Sequence, residues 1–452
     1  MTNNFVELHR NNLKKLEEIN LRLSDASLQE KEKRVKEIVE AVKLNGDKAI
    51  AEFTEKFDSF DVNMSAESPF RIEIDPRNHP NFDALGHELK EAILTAKERI
   101  TKFHISEFNF LNLGQGWLID GELGEKLGVK YKAINSIAAY VPGGQVPLIS
   151  TVLMTVIPAK VAGVNRIVLL SPPPIAKEIL AVAEICGVNE IYAIGGAQAI
   201  AALSYGTESI KPVDKIVGPG NIYVSLAKKI CFGTVGIDGI YGPSELAILA
   251  DETAKADLIV SDLLSQLEHG SGLESVLLVS LDEDLIPKVK VEFEKQISEL
   301  EATGKTKEQI QTIRNSMEKW SALLFSDVMA RACDLINTYA PEHLELHLGE
   351  LNSEKAQYLV NNAAAIFIGS NSCESLGDYA AGPSHCLPTG RTAKFSSGLQ
   401  CLDFMKRSSV IDFSKVNKST KRFNELLTQV AILARAEKLE AHARAAEKRR
   451  ID

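Results

Sequence analysis

RIVLLSPPPIAKEILAVAEICGVNEIYAIGGAQAIAALSYG (166–206) holds two short apolar runs, RIVLLS and EIYAIG, each followed by small or kinked residues and then by helical spacing. An apolar run of four to eight residues bounded by turn signals reads as a buried strand, and longer stretches with apolar positions three and four apart read as helix. Such alternation predicts parallel strands joined by right-handed crossovers. The pattern continues outward through SIAAYV (136–141) and KIVG (215–218), with PLISTVLMTVIPAKVAGV and NIYVSLAKKI as further helices.

The loops that follow these strands are YVPGG, SPPP, GGAQ, GPGN and YGPSE. In an open parallel sheet such loops share the ligand-binding edge, where small residues let backbone N–H groups at helix N-termini approach an anion. A nucleotide phosphate is the natural guest. No GxGxxG follows any strand, so a purely structural sheet with glycine in its tight turns stands as the competing reading.

After residue 250 the alternation resumes, with strands SVLLVSL (275–281), ALLFS (322–326), HLELHL (343–348) and AIFIG (365–369) set between helical segments. Before it lie helical stretches with a break at Gly46, a short strand FRIEID (70–75), a helix HELKEAILTAKERI (87–100) and an irregular region reaching residue 133. Beyond about 400 the pattern is helical to a basic end. The expected architecture is α/β, with two Rossmann-like domains of parallel-rich sheets. Residues 136–245 form an inserted dinucleotide-binding domain, 26–135 with 246–391 a larger domain, 1–25 a helical extension and 392–452 a linker and helical arm.

Composition narrows the function classes. The 452 residues are 25% charged and 45% hydrophobic, with a net charge of -10 and a pI near 5.6. This excludes a dedicated nucleic-acid binder or a surface drawn to anionic lipid. No apolar run serves as a signal peptide or membrane span, so the expected setting is cytoplasmic, or organellar after removal of a transit peptide. Six cysteines without a CxxC spacing read as free thiols.

Four places could carry chemistry. YAPEHLELHLGE (339–350) sets His343 and His347 four apart, as a zinc-protease helix would. Leu344, Leu346 and Leu348 alternate with polar residues, however, which is strand spacing, and on a strand positions four apart lie about 13 Å apart. The pair cannot share a metal. Glu342 and His343 fall at a loop-to-strand junction, either as proton-transfer groups or as a bland surface pair. SQLEHG (265–270) puts Gln266 and His269 on one helix face, as metal ligands or as a polar group and a helix-capping cation. GDYAAGPSHCLPTG (377–390) offers Asp378 and His385 in a loop too rich in glycine and proline for regular structure. AEKLEAHARAA offers Glu437 and His442, which on a continuous helix point about 140° apart.

YVPGG, GGAQAIAALSYGT, DKIVGPGN, GPSE, the SQLEH turn, APEHLEL, GDYAAGPSHCLPTGRTAKFSSGL and AEKLEAHA occur in an order and spacing that resembles the histidinol dehydrogenase family over essentially the whole chain. The resemblance implies oxidation of L-histidinol to L-histidine through L-histidinaldehyde with two NAD, by a homodimer that uses the helical N- and C-terminal extensions in dimerisation and holds one zinc per subunit. It implies Gln266, His269 and Asp378 as zinc ligands, with His442 supplied by the partner. Glu342 and His343 become the catalytic pair, His343 as base and Glu342 as activator of water. Ser244, His385 and Glu437 become substrate contacts beside the metal ligands and His343, and Tyr140, Gln198 and Asn221 become NAD contacts. Two departures stand out: Tyr241 where the family usually has alanine before GPSE, and Gly270 after the EH of the metal turn. Competing readings are a related NAD-dependent dehydrogenase of another polar alcohol, a zinc hydrolase, and a nucleotide-binding module without turnover.

Overall fold

The computed structural model describes residues 2–24, 27–73, 80–143, 147–417 and 420–450. Ile74 and Asp75 of FRIEID and Gly144 of YVPGG lie outside them. In chain order the strands are β1 (Arg71–Ile72), β2 (Trp117–Asp120), β3 (Lys126–Ala133), β4 (Ser136–Tyr140), β5 (Arg166–Ser171), β6 (Glu190–Ala193) and β7 (Lys215–Val217). They continue with β8 (Gly236–Ile237), β9 (Glu245–Ala250), β10 (Ser275–Ser280), β11 (Ala322–Phe325), β12 (His343–His347), β13 (Ala365–Ile368) and β14 (Met405–Asp412). The chain divides into two compact units, residues 1–105 with 134–403 and residues 106–133 with 404–452.

The first unit contains two sheets. One is six-stranded in the order β1-β6-β5-β4-β7-β8, parallel throughout except that β1 runs antiparallel to β6. Its strands are apolar on both sides because helices cover both faces, the usual reason a parallel sheet reads as continuous apolar runs. The helix Ser27–Asp58 packs here: Val35, Ile38, Val42 and Ile50 share a core with Val168, Leu170 and Ile200. The sequence grouping had assigned residues 26–135 to the other sheet. The structure instead sends the apolar stripe of that helix, and β1, to the six-stranded one. Gly46 interrupts the helix at φ 52, the left-handed region where a side chain is strained.

The second sheet is five-stranded, wholly parallel, in the order β11-β10-β9-β12-β13. The helices Ala256–Leu267, Leu285–Ala302 and Lys307–Trp320 cover one face, the last of them not anticipated from the sequence. On the other face lie Met329–Tyr339 and the N-terminal helix Thr2–Asn20, whose Leu16 and Ile19 are fully buried. Burial of each contributes roughly 1.5–3 kcal/mol. The extension therefore completes the core of its own sheet. Just beyond it, Arg22 pairs with Glu245, and both side chains are withdrawn from solvent.

In the second unit β14, β3 and β2 form an antiparallel sheet in that order. These strands correct the expected irregular region before 133 and the expected all-helical tail. The alternation in KLGVKYKA is present, but its outward lysines and glycine dilute the apolar signal. The helices Lys421–Ala436 and Glu440–Glu447 follow, joined through Phe423, Leu427 and Ala446 and through Arg435, which bonds both Glu440 and Glu447. No helix among the described residues is long and apolar enough to cross a membrane.

Candidate active site

β12 explains why the EHLELH segment is chemically dense. It is a strand, as its period-two pattern predicts, and His343, Glu345 and His347 all point to the face covered by the helix Ala256–Leu267. All three are buried, although their sequence pattern suggests an exposed side. Buried polar groups need partners, and here they find one another. His347 Nε2 lies 3.1 Å from Glu345 and 3.8 Å from Asp262. Glu345 Oε1 accepts the backbone N–H of Glu374 at 2.9 Å. Glu374 in turn accepts from Ser265 Oγ at 2.7 Å and from Gln266 Nε2 at 2.9 Å. Asp262, Glu345 and His347 present ligand atoms within 4.8 Å of one another, but the imidazole Nε2 is already engaged by Glu345, with Asp262 close by, as a buried core network.

His343, at the start of β12, lies between two acids: its Nδ1 is 3.9 Å from Glu342 Oε2 and its Nε2 is 3.7 Å from Asp378 Oδ1. Nδ1 is buried without a hydrogen-bond partner among the described residues. Burial pushes the Glu342 carboxyl up to about 8. For His343 burial pulls the ring down, but the negative charge of Glu342 and then of Asp378 outweighs it and holds the imidazole up at about 10. Near neutrality both groups therefore keep their protons, buried side by side within reach of a reacting atom, the setting of a proton-transfer pair. Glu342 is anchored by the backbone N–H of Glu245, 3.1 Å from its Oε2. Ser244 immediately precedes Glu245.

Asp378 is in the last turn of a short helix, Glu374–Tyr379, which corrects the expected irregular loop. Gly377 lies within it, and the run of glycine and proline that follows begins at Gly382. His385 is in the loop proper, with Nδ1 2.9 Å from the Asp378 carbonyl oxygen and Nε2 3.2 Å from Thr151 Oγ1. A carbonyl only accepts, so Nδ1 carries a hydrogen, and burial, which holds the ring below its ordinary value, leaves Nε2 to accept from the Thr151 hydroxyl. Gln266 is completely buried, its Oε1 without a partner among the described residues. His269 is exposed at the turn that closes its helix, near enough for its charge to bear on Asp378 and His385. Gly270 follows at φ 81, which suits a glycine at a helix end.

The nucleotide-contact candidates lie on the six-stranded sheet. Tyr140 ends β4, and its hydroxyl accepts the Gly196 N–H at 3.2 Å. Gln198 is in the first turn of the helix Gly196–Tyr205, with both amide atoms buried and unpartnered among the described residues. Asn221 caps the helix Ile222–Cys231. All three are at the carboxyl edge of their sheet. Ser244, Glu342 and His343 instead occupy the amino edge of the five-stranded sheet, and the connector 238–244 runs from one edge to the other. Within it Tyr241 is turned inward over Lys228 Nζ, 4.7 Å from the ring centre, away from the solvent.

Glu437 and His442 belong to the second unit and are exposed. Glu437 closes one helix, Lys438 takes φ 62, and His442 lies in the next, so the continuous helix assumed from the sequence is broken between them. Sequence reasoning missed Asp262, Glu345, Glu374, Glu245 and Arg22. Glu245 carried a usable signal, since it is an acid heading the otherwise apolar strand run ELAILA.

The profile of the histidinol dehydrogenase family matches residues 21–450. Histidinol dehydrogenase of Bacillus licheniformis is 43% identical, over 94% of this chain and 95% of that protein. That of Thermus thermophilus is 41% identical, over 93% and 94%. The crystal structure of histidinol dehydrogenase from Elizabethkingia anophelis superposes with a TM-score of 0.82 at 34% identity, covering 92% of this chain and 91% of that one.

Proposed function

The chain belongs to the histidinol dehydrogenase family, and from that premise we propose how its side chains divide the work. The reaction is the oxidation of L-histidinol through L-histidinaldehyde to L-histidine with two NAD, the last steps of histidine biosynthesis. The observation that carries the assignment is His343, buried between Glu342 and Asp378 with an unpartnered Nδ1.

His343 is the base. In its neutral form Nδ1 takes the proton of the alcohol and later that of the hydrated aldehyde. Glu342, made a stronger base by burial and fixed by the Glu245 N–H, in its ionised form draws a proton from the water that adds to the aldehyde. Ser244 and the neutral His385 contact the substrate, and Glu437 of a second copy pairs with its cationic amine. NAD, when bound, accepts a hydride in each oxidation. Residues 136–245 are its binding domain, with Tyr140, Gln198 and Asn221 as contacts, and the unpartnered amide of buried Gln198 suits a polar ligand at that edge.

Gln266, His269 and Asp378, with His442 from a second copy, would hold one zinc per subunit. Their nitrogen and oxygen donors suit zinc, and Oε1 of Gln266 is a buried acceptor with no hydrogen-bond partner among the described residues, the chemistry of a metal ligand. Zinc when bound supplies a Lewis acid that orients the substrate's imidazole and amine. These borrowed residues require a homodimer. Support comes from the apolar surface of the second unit, where Phe110 is 90% and Leu433 66% exposed and Trp117, Leu118 and Ile119 form an exposed row. The cytoplasm is the matching setting for this biosynthetic step.

The test is zinc-loaded protein mixed with L-histidinol and NAD. Two NADH per histidinol with histidine as product are expected; turnover of another alcohol in place of histidinol would refute the reading.

A further inference from the structure

We infer that Glu374 is a positioning residue that sets the Gln266 amide with its oxygen toward the metal, an inference that rests on the zinc reading above. Gln266 is fully buried, and its amide has two chemically different ends. Nε2 donates to Glu374 Oε1 at 2.9 Å, and the same carboxylate oxygen lies 2.7 Å from Ser265 Oγ. That oxygen is the acceptor of both bonds, so it selects the NH2 end of the amide and turns the carbonyl the opposite way. That carbonyl oxygen has no partner among the described residues.

Glu374 also links the two elements that bear ligands. It lies four residues before Asp378 on the helix Glu374–Tyr379, while Gln266 belongs to the last turn of Ala256–Leu267. Its own backbone N–H is held by Glu345 Oε1 at 2.9 Å, and Glu345 is held by His347 at 3.1 Å. The buried network under β12 thus fixes the orientation of the Gln266 amide through Glu374, its one member in contact with that amide. It also gives a reason for glutamine at 266, because a carboxylate there would face the Glu374 carboxylate.

Outer partners of this kind typically change metal affinity 10–100-fold. The experiment measures zinc affinity of the zinc-depleted full-length protein by competition with a chromophoric chelator, so turnover is not the readout. Glu374→Leu should bind zinc at least about 10-fold more weakly, while Glu374→Gln, whose amide oxygen can still accept from Gln266, should stay within about 3-fold of the native chain. Gln266→Glu should lose affinity through the facing carboxylates, and the double variant Gln266→Glu with Glu374→Gln should recover it. Native affinity in Glu374→Leu would overturn the inference. So would a Gln266→Glu variant that binds as tightly as the native chain, which decides the matter even where Glu374→Leu does not fold. A native chain that takes up no stoichiometric zinc would overturn the zinc reading itself and the inference with it.

Discussion

Replacing Arg22 by methionine keeps the apolar stem and removes the cation that meets buried Glu245. In the native chain burial raises the Glu245 carboxyl from 4.5 to about 7, against the pull of Arg22. A carboxyl whose folded value lies above its unfolded one favours folding at low pH. Glu245 therefore costs stability as pH climbs from 4.5 to about 7, and nothing more beyond that. Without the guanidinium the folded value moves higher still. The extra loss in the variant then begins near pH 7 and grows by about 1.4 kcal/mol per pH unit, or about 2.7 kcal/mol between pH 7 and 9. Urea unfolding of both proteins at pH 6, 7, 8 and 9 measures this difference. The double variant Arg22→Met with Glu245→Gln should be flat against pH relative to Glu245→Gln alone. An Arg22→Met destabilisation that does not change from pH 6 to 9 would refute the argument that Glu245 is the group left unpaired.

His343→Ala should lower the rate of histidinol oxidation by at least about 100-fold, the general-base contribution, while metal analysis finds zinc content unchanged. Thr151→Val removes the hydroxyl donated to His385 Nε2. With a net hydrogen-bond value of about 1 kcal/mol it should raise KM for histidinol about fivefold in steady-state assays. Gly46→Ala places a methyl group against the Glu208 carboxylate at a positive φ. It should cost about 1–3 kcal/mol, seen as a lower thermal midpoint. Chelation of zinc should abolish turnover and leave NAD binding, followed by calorimetry, intact.

The six- and five-stranded sheets were legible because parallel strands buried on both faces leave unbroken apolar runs such as RIVLLS and SVLLVSL. The β2–β3–β14 sheet was not, since its exposed strands mix lysine, glycine and serine into the alternation. In the site, period two in HLELHL sufficed to deny His343 and His347 a shared metal. It could not say that helices would bury both faces, and so it left Glu345 and His347 looking like surface residues when they are a core network. Glu374 gave no local signal. Its role arises from a helix more than a hundred residues away along the chain. Arg22 was hidden for the same reason, as its partner lies 223 positions on.

The connector 238–244 brings the chain into the five-stranded sheet so that its chemistry gathers at the amino edge. The opposite edge is then spare. Its short turns at 281–284, after β10, and 326–328, after β11, carry none of the residues assigned to substrate, metal or nucleotide. Those turns are where a reporter domain or an affinity tag could be spliced into the enzyme, and where natural length variation would cost turnover least.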